Sequence, residues 1–392
     1  MRSIALIVLT AALPGLAPPA HAQKAPARSS PKVLCSFCKD KGAKDCKKHG
    51  KSILELERRV LYCSVAAACK TCVGALSVDC KRCKNPVVEQ SAQQRRQLAR
   101  EFLDQRRQKV DKHLRKSEAI LHGRTDHVVL AFSVQPLTVG RQKLDTHRLM
   151  HLYLERLEAL YQDFKKTFAL TDADFNIPLS IYMFRATATH LEIAPRVTGI
   201  GGRGTGRKFM GSDMVYCMCF DRKTLRNDDD LHGTVAHNAA HLLVNRMRPH
   251  EWIHNKRHGW LDAGIAHWFE HKASGSCRTF CHEEVVLDPG SGYKGGKWRV
   301  AIRKLVEAGD IPRLGQFYNL KVDQLTLQQH AVSFAYVDFL IRKHGGAKLR
   351  DVIRLIKKKT PTSTALNKVY KLNVLNIEEP FRQWVRENYP LK

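Results

Sequence analysis

Apolar positions along this chain change period at about residue 124. Before it, the regular feature is a polar stretch over 87–118 in which Leu98, Phe102, Leu103, Val110 and Leu114 recur at roughly helical spacing. That pattern predicts a long, exposed helix whose charges form a solvated face. After it, Val128–Phe132 and Leu179–Phe184 are short apolar runs of strand length. Between them, 142–168 places Leu144, Leu149, Leu152, Leu154, Leu157, Leu160 and Phe164 on one helical stripe. A glycine-rich stretch, Gly199–Gly206, leads into a third strand over Met214–Phe220. From there the period is helical over 231–246, 261–271, 297–308, 325–343, 348–358 and 378–387. Few strands first and many helices later predicts an α+β fold with a small sheet and a mainly helical C-terminal half.

The first 22 residues have the order of a secretory signal. Arg2 precedes an apolar stretch, Ile4–Leu13, too short to span a bilayer, and Ala20-His21-Ala22 is a small-x-small cleavage site. The expected location is secreted or periplasmic, with no transmembrane segment after cleavage. The organisation that follows is a flexible linker over 23–34, a cysteine-rich module over 35–86, a charged helical linker over 87–123 and a globular domain over 124–392. The chain carries 66 Lys+Arg against 37 Asp+Glu, a net +29. That excess points to an anionic envelope polymer, or to an unidentified protein, as partner. Export and the lack of an interleaved aromatic-basic motif argue against nucleic acid.

Eight of the chain's 12 cysteines lie between Cys35 and Cys83. Two sets share one spacing: Cys35, Cys38, Cys46 and His49, then Cys69, Cys72, Cys80 and Cys83, offset by 34 residues at every position. Two close pairs of soft donors match a tetrahedral zinc site. Export also permits disulfides, but His49 in a cysteine's place suits a metal and not a disulfide. Cys63 stands outside the pattern. The spacing resembles the zinc repeats of DnaJ-type cysteine-rich domains, with Asp40 and Leu76 where that pattern has glycine. Zinc within each copy and zinc shared across copies both remain open.

The chemistry of the larger domain centres on His237-Asn238-Ala239-Ala240-His241, followed by Gly259-Trp260-Leu261-Asp262-Ala263-Gly264 and then His267. Histidines at i and i+4 share one helix face, as two ligands to one metal require. The region from 124 onward resembles the gluzincin, or peptidase MA-like, metallopeptidases. Their HExxH supplies two zinc ligands and a general base, and their WLxEG helix supplies a third ligand. The resemblance implies a peptidase-like cleft, but both chemical positions differ. Asn238 occupies the base position and an amide has no useful basicity near neutrality; Ala263 occupies the ligand position and has no donor atom.

The sequence therefore reads as a pseudo-metallopeptidase that binds a peptide or envelope ligand without hydrolysis, with no confident catalytic residue. The cleft is expected to be short of a ligand, with His237 and His241 as inherited polar residues and zinc confined to the N-terminal module. Two alternatives are an active zinc peptidase using His267, Asp262 or His258 as substitute ligand, and a basic envelope-binding protein whose fold is incidental. Cys217, Cys219, Cys277 and Cys281 are expected to form disulfides within or between the two pairs, with a third zinc site as the alternative. Gly199-x-Gly201-x-x-Gly204 precedes a strand and not a helix, so it reads as a cleft-edge loop charged by Arg203, Arg207 and Lys208, not as a dinucleotide site.

Overall fold

The computed structural model describes residues 120–392 except positions 176, 202–205, 212, 221–224, 254–255, 282–284 and 287–292; before 120 it describes 62–63 and single positions at 101, 105, 108 and 110. The signal segment, both four-ligand sets and most of the charged linker lie outside the described residues. Glu101, Gln105 and Gln108 are helical and exposed.

Six strands build one mixed sheet: β1 (Tyr62–Cys63), β2 (Leu121–Arg124), β3 (Val128–Phe132), β6 (Leu179–Phe184), β7 (Gly206–Met210) and β8 (Met214–Cys219). Their order is β1-β2-β3-β6-β8-β7. The central pairs β3–β6 and β6–β8 are parallel and the outer pairs antiparallel. A short hairpin, β4 (Leu137–Val139) with β5 (Gln142–Leu144), follows β3. The central strands are apolar on both faces because both are covered. Leu130, Ile181, Tyr216 and Met218 join the large helical core, while Ala131, Tyr182, Val215 and Cys217 pack with Ile193 and Ala194 on the reverse face.

Cys63, which the sequence left without a role, pairs with Gly123. The sheet thus reaches back across the boundary expected at 124. His122 and Gly123 give β2 no apolar run, which is why the sequence hides it.

Helix α1 (Thr146–Phe168) lies on the helical face of the sheet and begins at Asp145, whose carboxylate accepts from the Arg148 N–H at 2.8 Å. The stripe expected over 142–168 is therefore a helix from 146 preceded by β5. Helix α2 (Thr187–Thr198), absent from the sequence reading, covers the other face. Its apolar positions are few and Pro195 interrupts its pattern. Two central helices follow, α3 (Asp228–Arg246) and α4 (Gly259–Ser274). Both are buried nearly all round, so neither shows the one-sided stripe of a surface helix. Asn227 caps α3, accepting from the Asp230 N–H at 2.9 Å. Arg156 grips Asp228 with two hydrogen bonds of 2.7 Å, and the Tyr153 hydroxyl donates to the same carboxylate at 2.8 Å. These bonds fix the start of α3 against α1.

After the two-residue strands β9 (Thr279–Phe280) and β10 (Val285–Val286), the chain is helical: α5 (Trp298–Ala308), α6 (Leu314–Phe317), α7 (Leu327–His344), α8 (Gly346–Lys357), α9 (Thr362–Tyr370) and α10 (Glu378–Asn388). The α+β expectation holds. Gly264 lets α4 and α7 touch: a Cβ there would stand 2.5 Å from the Ser333 carbonyl oxygen. Lys357 of α8 closes the other end of α3, its ammonium donating to the carbonyls of Val244, Asn245 and Met247 at 2.5, 2.9 and 2.6 Å. None of the described helices is long and apolar enough to cross a membrane.

Candidate metal centre

Helix α3 carries His237 and His241 one turn apart, with ring nitrogens Nε2 only 3.1 Å from each other. Helix α4 packs across them and brings two carboxylates to their other nitrogens, together with a third imidazole, His267. Asp262 Oδ2 accepts from His241 Nδ1 at 2.7 Å. Glu270 Oε2 accepts from His237 Nδ1 at 3.1 Å and from His267 Nδ1 at 2.8 Å. A carboxylate can only accept here, so each Nδ1 carries the proton and each Nε2 of a neutral ring presents a lone pair. All five side chains are buried, at most 1% exposed.

The remaining donor comes from the segment after α4. Cys281 Sγ lies 3.3 Å from His237 Nε2 and 3.4 Å from His267 Nε2, with His330 Nδ1 of α7 at 3.7 Å. Two groups here could hold a metal ion, with donor atoms within 4.8 Å of one another: His237, His267 and Cys281, and His267, Glu270 and Cys277. The second set is the poorer one. Glu270 already serves two imidazoles with Oε2, and its Oε1 accepts the N–H groups of Arg278 and Thr279 at 2.6 and 2.7 Å. Cys277 donates to the His267 carbonyl at 3.4 Å.

Electrostatics follow from burial. Loss of solvent pushes His237 down to about 3, helped by nearby His267 and opposed by Glu270. The same cause, opposed by Asp262, holds His241 well below the usual range. Burial alone would raise Glu270, but the hydrogen bonds from both imidazoles outweigh it and hold the carboxyl at about 2. Burial and Glu270 push the Cys277 thiol up. The site is a pair of carboxylates that together fix the Nδ1 side of three imidazoles.

Asn238 also lies in this interior, wholly buried. Its Nδ2 donates to the Thr234 carbonyl at 3.0 Å, and its Oδ1 accepts from Lys208 Nζ of β7 at 3.4 Å. Lys208 also donates to the Cys281 carbonyl at 3.4 Å. Lys208 and Arg207 were expected to charge an open loop, but both are buried, and Arg207 donates to the Ile200 carbonyl at 3.2 Å. As neighbours in strand β7 they point to opposite faces, both covered: Lys208 toward Asn238 on the helical side, Arg207 toward Ile200 and the reverse face.

The fold therefore brings His237, His241, His267 and Asp262 together, with Asp262 reaching a histidine ring and not the common centre. Ala263 sits in the apolar core. His258 does not join: its Nδ1 lies 3.1 Å from Thr362 Oγ1 at the start of α4. Glu270 and Cys281 are the residues sequence reasoning assigned elsewhere or left unused. The i, i+3 spacing of His267 and Glu270 was a signal for the first; nothing local in the sequence aims Cys281 at α3.

The expected disulfides are not formed: Cys217, Cys219, Cys277 and Cys281 are buried thiols, none of them in a disulfide. Cys217 packs on the reverse face of the sheet, 3.4 Å from His190 Nδ1, whereas Cys277 and Cys281 belong to the helical core. The sheet lies between the two pairs. Cys219 is engaged locally, 3.5 Å from Thr187 Oγ1 and donating to the Arg185 carbonyl at 3.7 Å.

A comparison with protein-family models and one with curated proteins find no match for this chain.

Proposed function

We propose that this is an exported, gluzincin-like protein that binds an extended peptide or an anionic envelope ligand and does not hydrolyse it. The observation that carries this reading is Asn238. It stands in the second position of the histidine pair, fully buried, with both ends of its amide engaged by Thr234 and Lys208. An amide cannot take a proton from water at neutral pH. Glu270 and Asp262 are committed to histidine Nδ1 protons, and Lys208 is a cation facing the amide oxygen. The order of sheet, edge strand, histidine helix and second helix supports the resemblance of the scaffold.

A binding surface is offered by β7. It ends the sheet order and pairs with β8 on one side. Its outer edge can take an added strand, beside the partly exposed Phe209 and Ile200. The net charge of +29 favours acidic ligands.

Incubation of the full chain with a mixed peptide library tests the first half of the proposal. No cleavage above a His237→Ala control is expected. Chelator-sensitive cleavage that His237→Ala abolishes would overturn it. The duplicated cysteine sets, which flank β1 in the sequence, are proposed to hold zinc. Cys69→Ser with Cys72→Ser should lower zinc content and leave the melting transition of the larger domain in place; unchanged zinc content rejects that assignment.

A further inference from the structure

We propose that the cavity where helices α1, α3 and α4 meet binds a small amphipathic anion, a monocarboxylate whose apolar body fills the cavity and whose charged end meets Lys272 and Arg156. The site goes beyond the peptide reading and uses other residues: none of His237, His241, His267 and Cys281 lines it.

The cavity has a cause in the sequence. His232, Val235 and Ala236 on α3 and Phe269, Lys272 and Ala273 on α4 repeat one i, i+3, i+4 face. Each face ends in alanine, and a methyl group is too short to close the gap between three helices. Leu157 and Leu160 of α1 supply the third wall. The space left is about 290 Å³, at the small end of the range for ligand sites, which begins near about 300 Å³. Leu157, Val235, Ala236 and Phe269 are at most 3% exposed, so the inner wall is apolar. Water gains little in such a place because it needs about two to four polar partners, whereas an apolar chain gains with every methylene buried.

The polar lining decides the charge of the ligand. Arg156 gives Asp228 one hydrogen bond from each terminal nitrogen, both of 2.7 Å, and a guanidinium carries further N–H groups beyond those. Lys272 donates to Asp163 at 2.6 Å and lies 5.1 Å from the centre of the Trp268 ring. In both pairs the cation is the more exposed partner: 19% for Arg156 against 7% for Asp228, and 50% for Lys272 against 30% for Asp163. A ligand entering from solvent therefore meets N–H donors more readily than carboxylates, and a carboxylate is the group that complements them. Burial, with Arg156 beside it, holds His232 at about 4. Its ring is neutral near pH 7 and adds one hydrogen-bond donor without adding charge.

Other ligand classes fit less of the site. A cation would have to separate Lys272 from Asp163. A neutral hydrocarbon would fill the apolar wall and leave both rim cations unused. An amphipathic anion uses wall and rim together, and the net charge of +29 draws it in from a distance.

The test is titration calorimetry on the full chain with octanoate and octan-1-ol as probes. Wild type should bind octanoate at a single site, and more tightly than octan-1-ol. Ala236→Leu and Ala273→Leu each put a larger side chain into the cavity and should weaken octanoate about tenfold or more. Thermal unfolding of both variants checks that the domain still folds. Lys272→Glu changes an exposed rim position and leaves the apolar wall alone, so it reports on the site even where a filled variant misfolds. It should weaken octanoate about fivefold and leave octan-1-ol unchanged, while Lys272→Arg should bind octanoate as wild type does. No octanoate binding by wild type overturns the proposal, as does octanoate affinity unchanged in both filled variants. Octan-1-ol bound as tightly as octanoate, or octanoate unaffected by Lys272→Glu, overturns the assignment to an anion.

Discussion

Lys208 Nζ lies 3.4 Å from Asn238 Oδ1, joining the outer strand of the sheet to the histidine helix. In an HExxH helix, a carboxylate occupies the position of Asn238 and must remain able to take a proton. Here a carboxylate would meet an ammonium in a buried place, and the pairing would hold it ionised and engaged.

Asn238→Glu alone is therefore expected to give no measurable peptidase. The restored carboxylate pairs with Lys208, and Ala263 still supplies no ligand. The measurement is turnover of a fluorogenic peptide with the variant loaded with zinc. Turnover well above the His237→Ala background would show that neither constraint operates.

Glu270 orients two rings through one oxygen and anchors two backbone N–H groups through the other. Glu270→Gln keeps the shape but supplies an amide that cannot accept from both rings as a carboxylate does. Metal affinity should fall about 10–100-fold without disappearing, read by competition with a chromophoric chelator. An unchanged affinity would mean that the rings are held by packing alone.

The contact of α4 with α7 at Gly264 leaves no room for a methyl group, with the Ser333 carbonyl at 2.5 Å and Val337 Cγ2 at 2.7 Å from its position. Gly264→Ala should cost about 1–3 kcal/mol by overpacking. The gain in helix propensity of about 1 kcal/mol opposes this and is the smaller effect. Thermal unfolding should show a lower melting temperature; an increase would mean that the helices separate without cost.

Acid stability should depend on Glu158 of α1. Burial alone would raise its pKa, but hydrogen bonds from His127, Thr125 and Gln162 hold it at about 2, below the ordinary 4.5. The folded pKa is the lower one, so its contribution is complete above about 4.5 and is lost as pH falls toward 2. Allowing for partial solvent screening, this is about 1–2 kcal/mol at neutral pH. Glu158→Gln should lower stability near pH 7 and flatten the decline between pH 4.5 and 2, measured by denaturant titration. Parallel curves for the two proteins would remove Glu158 from that account.

Several parts of the molecule were legible along the chain because they depend on nearest neighbours in sequence. Strands Val128–Phe132 and Leu179–Phe184 were readable as apolar runs, and α1, α5 and α10 as helical stripes. The i, i+4 spacing put His237 and His241 on one face whatever surrounded them. The losses at Asn238 and Ala263 were likewise visible as residue types. Helix α2 and strand β2 were not, because one carries proline and few apolar positions and the other has histidine and glycine where a run would be.

Tertiary structure alone decided the rest. The approach of Cys281 to His237 spans 44 residues, and it depends on α4 crossing α3 and on the turn after α4 folding back. No local pattern encodes that. The same is true of Lys208: its charge suggested an exposed loop, but sheet pairing with β8 turned it inward to Asn238. Sequence periodicity specifies which face of an element is buried, whereas a site made from several elements depends on how those faces meet. Here that meeting placed a cysteine read as a disulfide partner against the rings of His237, His267 and His330.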